Sequence, residues 1–147
     1  MRITGTVTLK APVEQVWAGL HDVALLRRAI PGCEQFDALG GGTCRTTLSA
    51  GVASFQGTFQ GEVKVVEERR PASLRLKATG VGQPGTVTAD ITLGLTDAGD
   101  GTTRVDYDVE AVVGGQIASI GSRLLAAAAT KAAREFFAAV DAAMGGA

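Results

Sequence analysis

Chemically reactive side chains are scarce in this sequence. Its 147 residues include one histidine, two cysteines, one tryptophan and one tyrosine. His21, Cys33 and Cys44 could not form a standard zinc site without carboxylates drawn from elsewhere, and no Cys/His cluster has metal-ligand spacing. Charge of one sign is also missing. Fourteen basic against fifteen acidic side chains leave a formal charge of -1. That balance excludes the basic footprint of a nucleic-acid binder and gives no support for membrane recruitment by bulk charge. The longest apolar stretch, 109–129, contains Glu110, Gln116 and Arg123 and changes periodicity at Gly114-Gly115. It reads as a strand followed by a helix, and not as a membrane span. No signal peptide is expected, because the first residues run straight into an alternating strand.

A disulfide is also excluded by spacing. Leu39-Gly40-Gly41-Gly42-Thr43 is a hairpin turn centred near Gly41, which puts Cys44 opposite position 38 and Cys33 opposite position 49. The two sulfurs then lie about 17 Å apart along the strands. A disulfide needs Cα atoms within about 7 Å. Two free thiols are expected, as in a reducing cytoplasm.

Glycine, in contrast, is abundant: 20 residues, about twice the usual share. Many of these glycines lie inside alternating apolar segments, and 46% of the chain is hydrophobic. The length suits one domain, 1–147, with a sizeable core. Residues 2–9 alternate as a half-buried strand, with Ile3, Val7 and Leu9 on one face. Pro12 and Glu14 open a helix carrying Val13, Val16, Trp17 and Leu20. Asp22 can cap a second short helix with Leu25, Leu26, Ala29 and Ile30, stopped by Pro31-Gly32.

Strands then follow near 33–39, 43–52, 54–68, 73–81, 84–97 and 101–113, joined by short turns. Phe55, Gly57, Phe59, Gly61, Val63 and Val65 share a face opposite Gln56, Thr58, Gln60, Glu62 and Lys64. Val87, Ala89, Ile91, Leu93 and Leu95 form a second such face, and Val105, Tyr107, Val109, Ala111 and Val113 a third. One dry and one wet face describe an antiparallel sheet covered on one side. Residues 116–144 read as a final Ala-rich helix. Its first stripe is Ile117, Ile120, Leu124 and Ala128, and its second, rotated, is Phe136, Val140 and Met144. The fold class is therefore α+β, a seven-stranded curved antiparallel sheet around a long C-terminal helix in the order β-α-α-β6-α, the helix-grip arrangement.

The dry face is the candidate site. The middle of the long helix is Leu124-Leu125-Ala126-Ala127-Ala128-Ala129, and many facing strand positions are Gly, Ala or Val. Either the helix docks closely on the sheet or an elongated apolar cavity remains. Such a cavity would be lined by Leu26 and Ile30 from the short helices, and by Phe55, Phe59, Leu76, Val87, Ala89, Ile91, Val105, Tyr107 and Val109 from the strands. Ile117, Ile120, Leu124 and Ala128 would close it from the helix. With no positioned acid, base or metal, it suits a lipid or isoprenoid better than a reacting polar substrate.

Other features carry blander meanings. His21, beside a helix cap, reads as a surface or capping residue, and Trp17 as helix packing. Gly80-Val81-Gly82-Gln83-Pro84-Gly85 superficially matches a dinucleotide fingerprint but leads into a strand, so no helix N-terminus awaits a pyrophosphate. Asp106, Asp108 and Glu110 project from the wet face and read as solvated, not as an acid-base pair. Tyr107 points inward, where its hydroxyl could meet a ligand carbonyl or simply be satisfied within the core. Arg123, Lys131 and Arg134 form a basic flank on the long helix.

Val13-Glu14-Gln15-Val16-Trp17 and Ile30-Pro31-Gly32-Cys33-Glu34 resemble the opening of the carbon monoxide dehydrogenase CoxG family, within the START-like, polyketide-cyclase-like (SRPBCC) helix-grip superfamily. The resemblance continues through Phe59-Gln60-Gly61-Glu62-Val63 and 101–107, and is closest over 113–124, Val-Gly-Gly-Gln-Ile-Ala-Ser-Ile-Gly-Ser-Arg-Leu. It implies a non-catalytic accessory protein of molybdenum-containing carbon monoxide dehydrogenase, cytoplasmic and working peripherally at the inner face of the membrane. The implied cargo is a respiratory quinone, menaquinone or ubiquinone, or another lipid, with no cofactor required. Two other readings stand beside this one: an assembly or membrane-recruitment factor without a physiological ligand, and a polyketide-cyclase-like enzyme.

Overall fold

A computed structural model describes residues 1–146. Seven strands form one antiparallel sheet: β1 (Arg2–Leu9), β2 (Cys33–Gly40), β3 (Thr43–Val52), β4 (Phe55–Arg69), β5 (Ser73–Gly82), β6 (Gly85–Gly99) and β7 (Thr102–Gly114). Their spatial order is β1-β7-β6-β5-β4-β3-β2. The alternation read from sequence is the alternation seen in burial. Gln56, Thr58, Gln60, Glu62 and Lys64 are exposed on the convex face, while Phe55, Phe59, Val63 and Val65 turn inward. Cys44 pairs with Ala38, as the hairpin turn predicts. Cys33 pairs with Leu48 and not with Ser49, because register shifts at Cys33/Gln35 and Ala38/Gly40 alter the count. Both thiols are free.

Helices α1 (Val13–Leu20) and α2 (Val23–Ala29) cross from the end of β1 to the start of β2. The Asp22 carboxylate accepts from the Ala24 and Leu25 amides at 3.0 and 3.2 Å, satisfying donors that the first turn of α2 leaves unpaired. Asp22→Ala should cost about 1 kcal/mol of global stability, read as a lower urea midpoint at constant m value. The buried Thr103 hydroxyl ties β7 to the β1–α1 connection through the Ala11 carbonyl at 2.7 Å.

The long helix expected over 116–144 is divided. Gln116–Ile120 forms a 3-10 segment, Gly121 breaks it with φ 94°, and α3 runs Ser122–Asp141 before a wide final turn, Ala142–Gly146. A positive φ there suits only glycine and resets the phase of everything that follows. Leu125 therefore turns inward, and Leu124 is 55% exposed on the outer surface. The expected inward stripe through Leu124 is corrected accordingly.

The interior packs as two separate clusters. The larger joins Ile3, Leu9, Trp17, Leu74, Leu93, Val105, Tyr107, Phe137 and Val140 near the C-terminal half of α3. The smaller, at the opposite end of the sheet, joins Phe59, Ile117 and Leu125, with Val52, Phe55, Val113 and Ile120 against them.

Candidate functional site

Between these clusters the helix has little to offer the sheet. From Ala126 to Glu135 its half-buried positions carry only Ala126, Ala128, Ala129, Thr130 and Ala133. The span from Leu125 to Phe136 covers roughly 16 Å of helix. Facing it are small residues as well: half-buried Val63, Ala78, Gly80 and Val87, and buried Ala89 and Ala111. The backbone of α3 comes closest to α2, β1 and β3. Leu26, Ile30, Leu48, Val63, Ala78, Val87 and Ala128 are half-buried yet belong to neither packed cluster. Residues at the centre of a concave face would be fully buried if the helix filled it. These residues lie between Ile117 and Leu125 at one end and Phe136 and Phe137 at the other.

Two surface recesses lie at the ends of the sheet. One, of about 270 Å³, is lined by Met1, Ala111, Val112, Val113, Ala118, Ser122 and Leu125, and so reaches the inward-facing Ala111 and Leu125. The other, of about 370 Å³ at the far end, is bounded by His21, Gly41, Gly42, Val65, Val66, Glu67 and Glu68.

The residues expected to line the site fall into four groups. Leu26, Ile30, Val87, Ala89 and Ala128 belong to neither cluster. Phe55, Phe59, Ile117 and Ile120 make up much of the smaller cluster. Leu76, Ile91 and Val109 are half-buried at the edge of the larger cluster, whereas Val105 and Tyr107 lie inside it. Leu124 alone points away. Other inward residues outside that expectation are Leu48 and Ala78, in neither cluster, Leu125 in the smaller cluster, and Ala126, Ala129 and Ala133 against the larger one. Strand parity could have found the first two. The helix positions were hidden by the phase change at Gly121.

Tyr107 sits at the closed end. Its ring stacks on Phe137 at 5.5 Å and 23° and lies over Gly5 of β1, where any Cβ would collide with it. No carboxylate, histidine, lysine or arginine is buried among the described residues, and the buried polar side chains are Thr46 and Thr103. Among the described residues there is no group of three or more His, Cys, Asp or Glu able to hold a metal ion. His21 fastens α1 to β4, with Nδ1 2.8 Å from the Trp17 carbonyl and Nε2 3.0 Å from Glu68. On the convex face, Asp106 accepts from Thr6 at 2.7 Å, and Arg2 bridges to Asp108 at 2.7 Å. The Arg2 hydrogen bond and charge hold the Asp108 carboxyl below its ordinary range, so this row of acids ties β1 to β7. Burial pushes the Cys44 thiol up, away from the reactive thiolate. The Gly80–Gly85 segment joins the end of β5 to the start of β6 through a turn at Gln83-Pro84, and the Pro84 carbonyl accepts the Ile117 amide at 2.8 Å.

No curated protein sequence matches this chain. Among solved structures, a conserved protein from Geobacillus kaustophilus is 30% identical, with a TM-score of 0.94 over 99% of this chain and 95% of that one. The Zhui aromatase/cyclase from a Streptomyces species is 18% identical, with a TM-score of 0.74 over 99% and 93% of the two chains. A START superfamily protein from Mycobacterium smegmatis is 12% identical, with a TM-score of 0.75 over 98% and 97%. These likenesses establish the START-like fold. The family model of the carbon monoxide dehydrogenase protein CoxG matches residues 5–145. Fold and family together indicate a hydrophobic-ligand-binding or accessory role. The chain belongs to the carbon monoxide dehydrogenase CoxG family.

Proposed function

We propose that this protein is a non-catalytic carrier that holds a respiratory quinone in the space between α3 and the sheet, linking a molybdenum-containing carbon monoxide dehydrogenase to the membrane quinone pool. The observation that supports this most directly is the alanine-rich middle of α3 together with Val63, Ala78, Val87 and Ala128, which stay half-buried outside both packed clusters. An isoprenoid tail is apolar, narrow and flexible, and it needs length more than polar contacts. No carboxylate, histidine, lysine or arginine is buried among the described residues, which favours holding such a molecule over reacting with it. The partner is suggested by the family itself. Electrons from the dehydrogenase would reduce the carried quinone, and the membrane pool would exchange it.

Native mass spectrometry of gently purified protein, followed by solvent extraction, tests this reading. A stoichiometric quinone is the expected result. A ligand-free protein that also ignores added menaquinone would overturn it in favour of an assembly factor. The enzyme reading is favoured by one observation, the likeness to an aromatase/cyclase. That likeness is one of fold, and fold does not carry chemistry without polar groups at the site.

A further inference from the structure

The 3-10 segment Gln116–Ile120 has glycine at both of its ends. Gly115 precedes it at φ 84° and ψ -161°, and Gly121 follows it at φ 94° and ψ 151°. Glycine enters these regions and leaves them at low cost, so both positions can act as pivots. The bonds inside the segment are local. The Ala118 amide donates to the Gly115 carbonyl at 3.1 Å, the Gly121 amide to the Ala118 carbonyl at 3.2 Å, and the Ser119 hydroxyl to the Gln116 carbonyl at 2.7 Å. All of these can move with the segment as one piece. Among the described residues, one hydrogen bond ties it to the sheet, from the Ile117 amide to the Pro84 carbonyl at 2.8 Å. It carries no charged side chain that could add an ion pair.

One side chain holds the segment down. Ile117 is 6% exposed, whereas Gln116, Ala118 and Ser119 are exposed and Ile120 is half-buried. Ile117 packs with Phe59 and Leu125 in the smaller cluster, and it sits against Gly85, where an added Cβ would lie 2.9 Å from its Cγ2. The recess of about 270 Å³ is bordered by Ala118 of this segment and by Leu125, a neighbour of Ile117 in the cluster. The C-terminal half of α3 is anchored quite differently. Phe137 and Val140 are buried in the larger cluster, and the Asp141 carboxylate accepts the Lys10 amide at 2.8 Å. The two parts of the C-terminal region therefore differ in what it takes to move them.

We propose that Gln116–Ile120 is a hinged lid with Ile117 as its plug. Rotation about Gly115 and Gly121 breaks the bond to Pro84, withdraws Ile117 from Phe59 and Leu125, and extends the recess beside Ala118 into the smaller cluster. The C-terminal half of α3 stays seated throughout. Such an opening exposes one large side chain and gives up one bond to the sheet, so it is far cheaper than unfolding the domain. The lid rests on the carrier reading for its use, the admission and release of an apolar tail. Its evidence is separate and lies in the two pivots, the single tie and the single plug.

Amide hydrogen exchange, resolved by residue, tests the lid. In the wild type the Ile117, Ala118 and Gly121 amides should exchange with little dependence on urea, well before the Val140 amide, which waits for global unfolding. Ile117→Ala should speed exchange at Gly121 by about thirtyfold or more, and the milder Ile117→Val by about threefold, because each weakens the plug. Phe137→Leu should speed exchange at Val140 and leave Gly121 as in the wild type, since Phe137 stays packed when the lid lifts. Acceleration of Gly121 and Val140 alike by Phe137→Leu would mean that the segment opens only with the whole domain, and would overturn the lid. Stopped-flow uptake of a short-tailed menaquinone then separates the two ideas. Uptake and release should both quicken in Ile117→Ala by the factor seen in exchange. Faster exchange with unchanged rates overturns the lid alone, and no uptake by a protein whose segment opens overturns the carrier reading alone.

Discussion

Ala128→Trp is expected to reduce uptake of a short-tailed menaquinone by about tenfold or more while costing less than about 1 kcal/mol of stability. Ala128 lies between Leu125 and Phe136, half-buried and packed against neither cluster. An indole at that position projects into the space that an isoprenoid tail would occupy. The pair of measurements matters more than either alone. If α3 were packed closely on the sheet, the indole would overfill a dense core and cost about 1–3 kcal/mol. A large drop in stability would therefore refute the open space, and unchanged uptake with unchanged stability would refute the location of the ligand. Fluorescence titration and a urea transition on the same sample give both values.

The strands of this fold were readable from the sequence because each long segment alternates under a single rule. Val87, Ala89, Ile91, Leu93 and Leu95 turn inward over β6, and Thr86, Thr88, Thr92 and Thr96 turn outward. The antiparallel meander follows from short turns, and the Asp22 cap from residue chemistry at a helix start. The helix was harder because Gly121 is ambiguous in a sequence. A glycine inside an apolar helical pattern is tolerated at some cost, and only its φ of 94° shows that the pattern restarts there. Moving the start of α3 to Ser122 exchanges Leu124 for Leu125, which is why one expected lining residue lies on the surface. The depth of the site was not readable at all. An alanine-rich helix can lie flat on a glycine-rich sheet or be held away from it. What decides is the position of large residues at its ends, here Ile117 and Leu125 against Phe59, and Phe136 and Phe137 against Tyr107. Those contacts join residues far apart in the chain, and no local pattern reports them.

The division of the interior into two clusters makes unequal demands on Phe137 in the larger and Phe59 in the smaller. Phe137 is 5% exposed, stacked on Tyr107 at 5.5 Å and edge-on to Phe136 at 5.0 Å. Phe137→Ala should cost about 3–5 kcal/mol, because the lost contacts leave a void walled by Tyr107, Val140 and the strands, which cannot collapse into it. For a domain whose net stability is typically about 5–15 kcal/mol, that is a large fraction. Phe59 is 8% exposed but belongs to the smaller cluster, where Val52, Phe55 and Ile120 are only half-buried. Phe59→Ala removes the same atoms from a looser setting that borders the open space. Its cost should fall clearly below that of Phe137→Ala, at about 2–3 kcal/mol, with quinone uptake changed more than stability would suggest. Urea transitions of the two variants decide the matter. Equal losses would mean that one continuous core runs the length of α3, leaving no room for a tail between its ends.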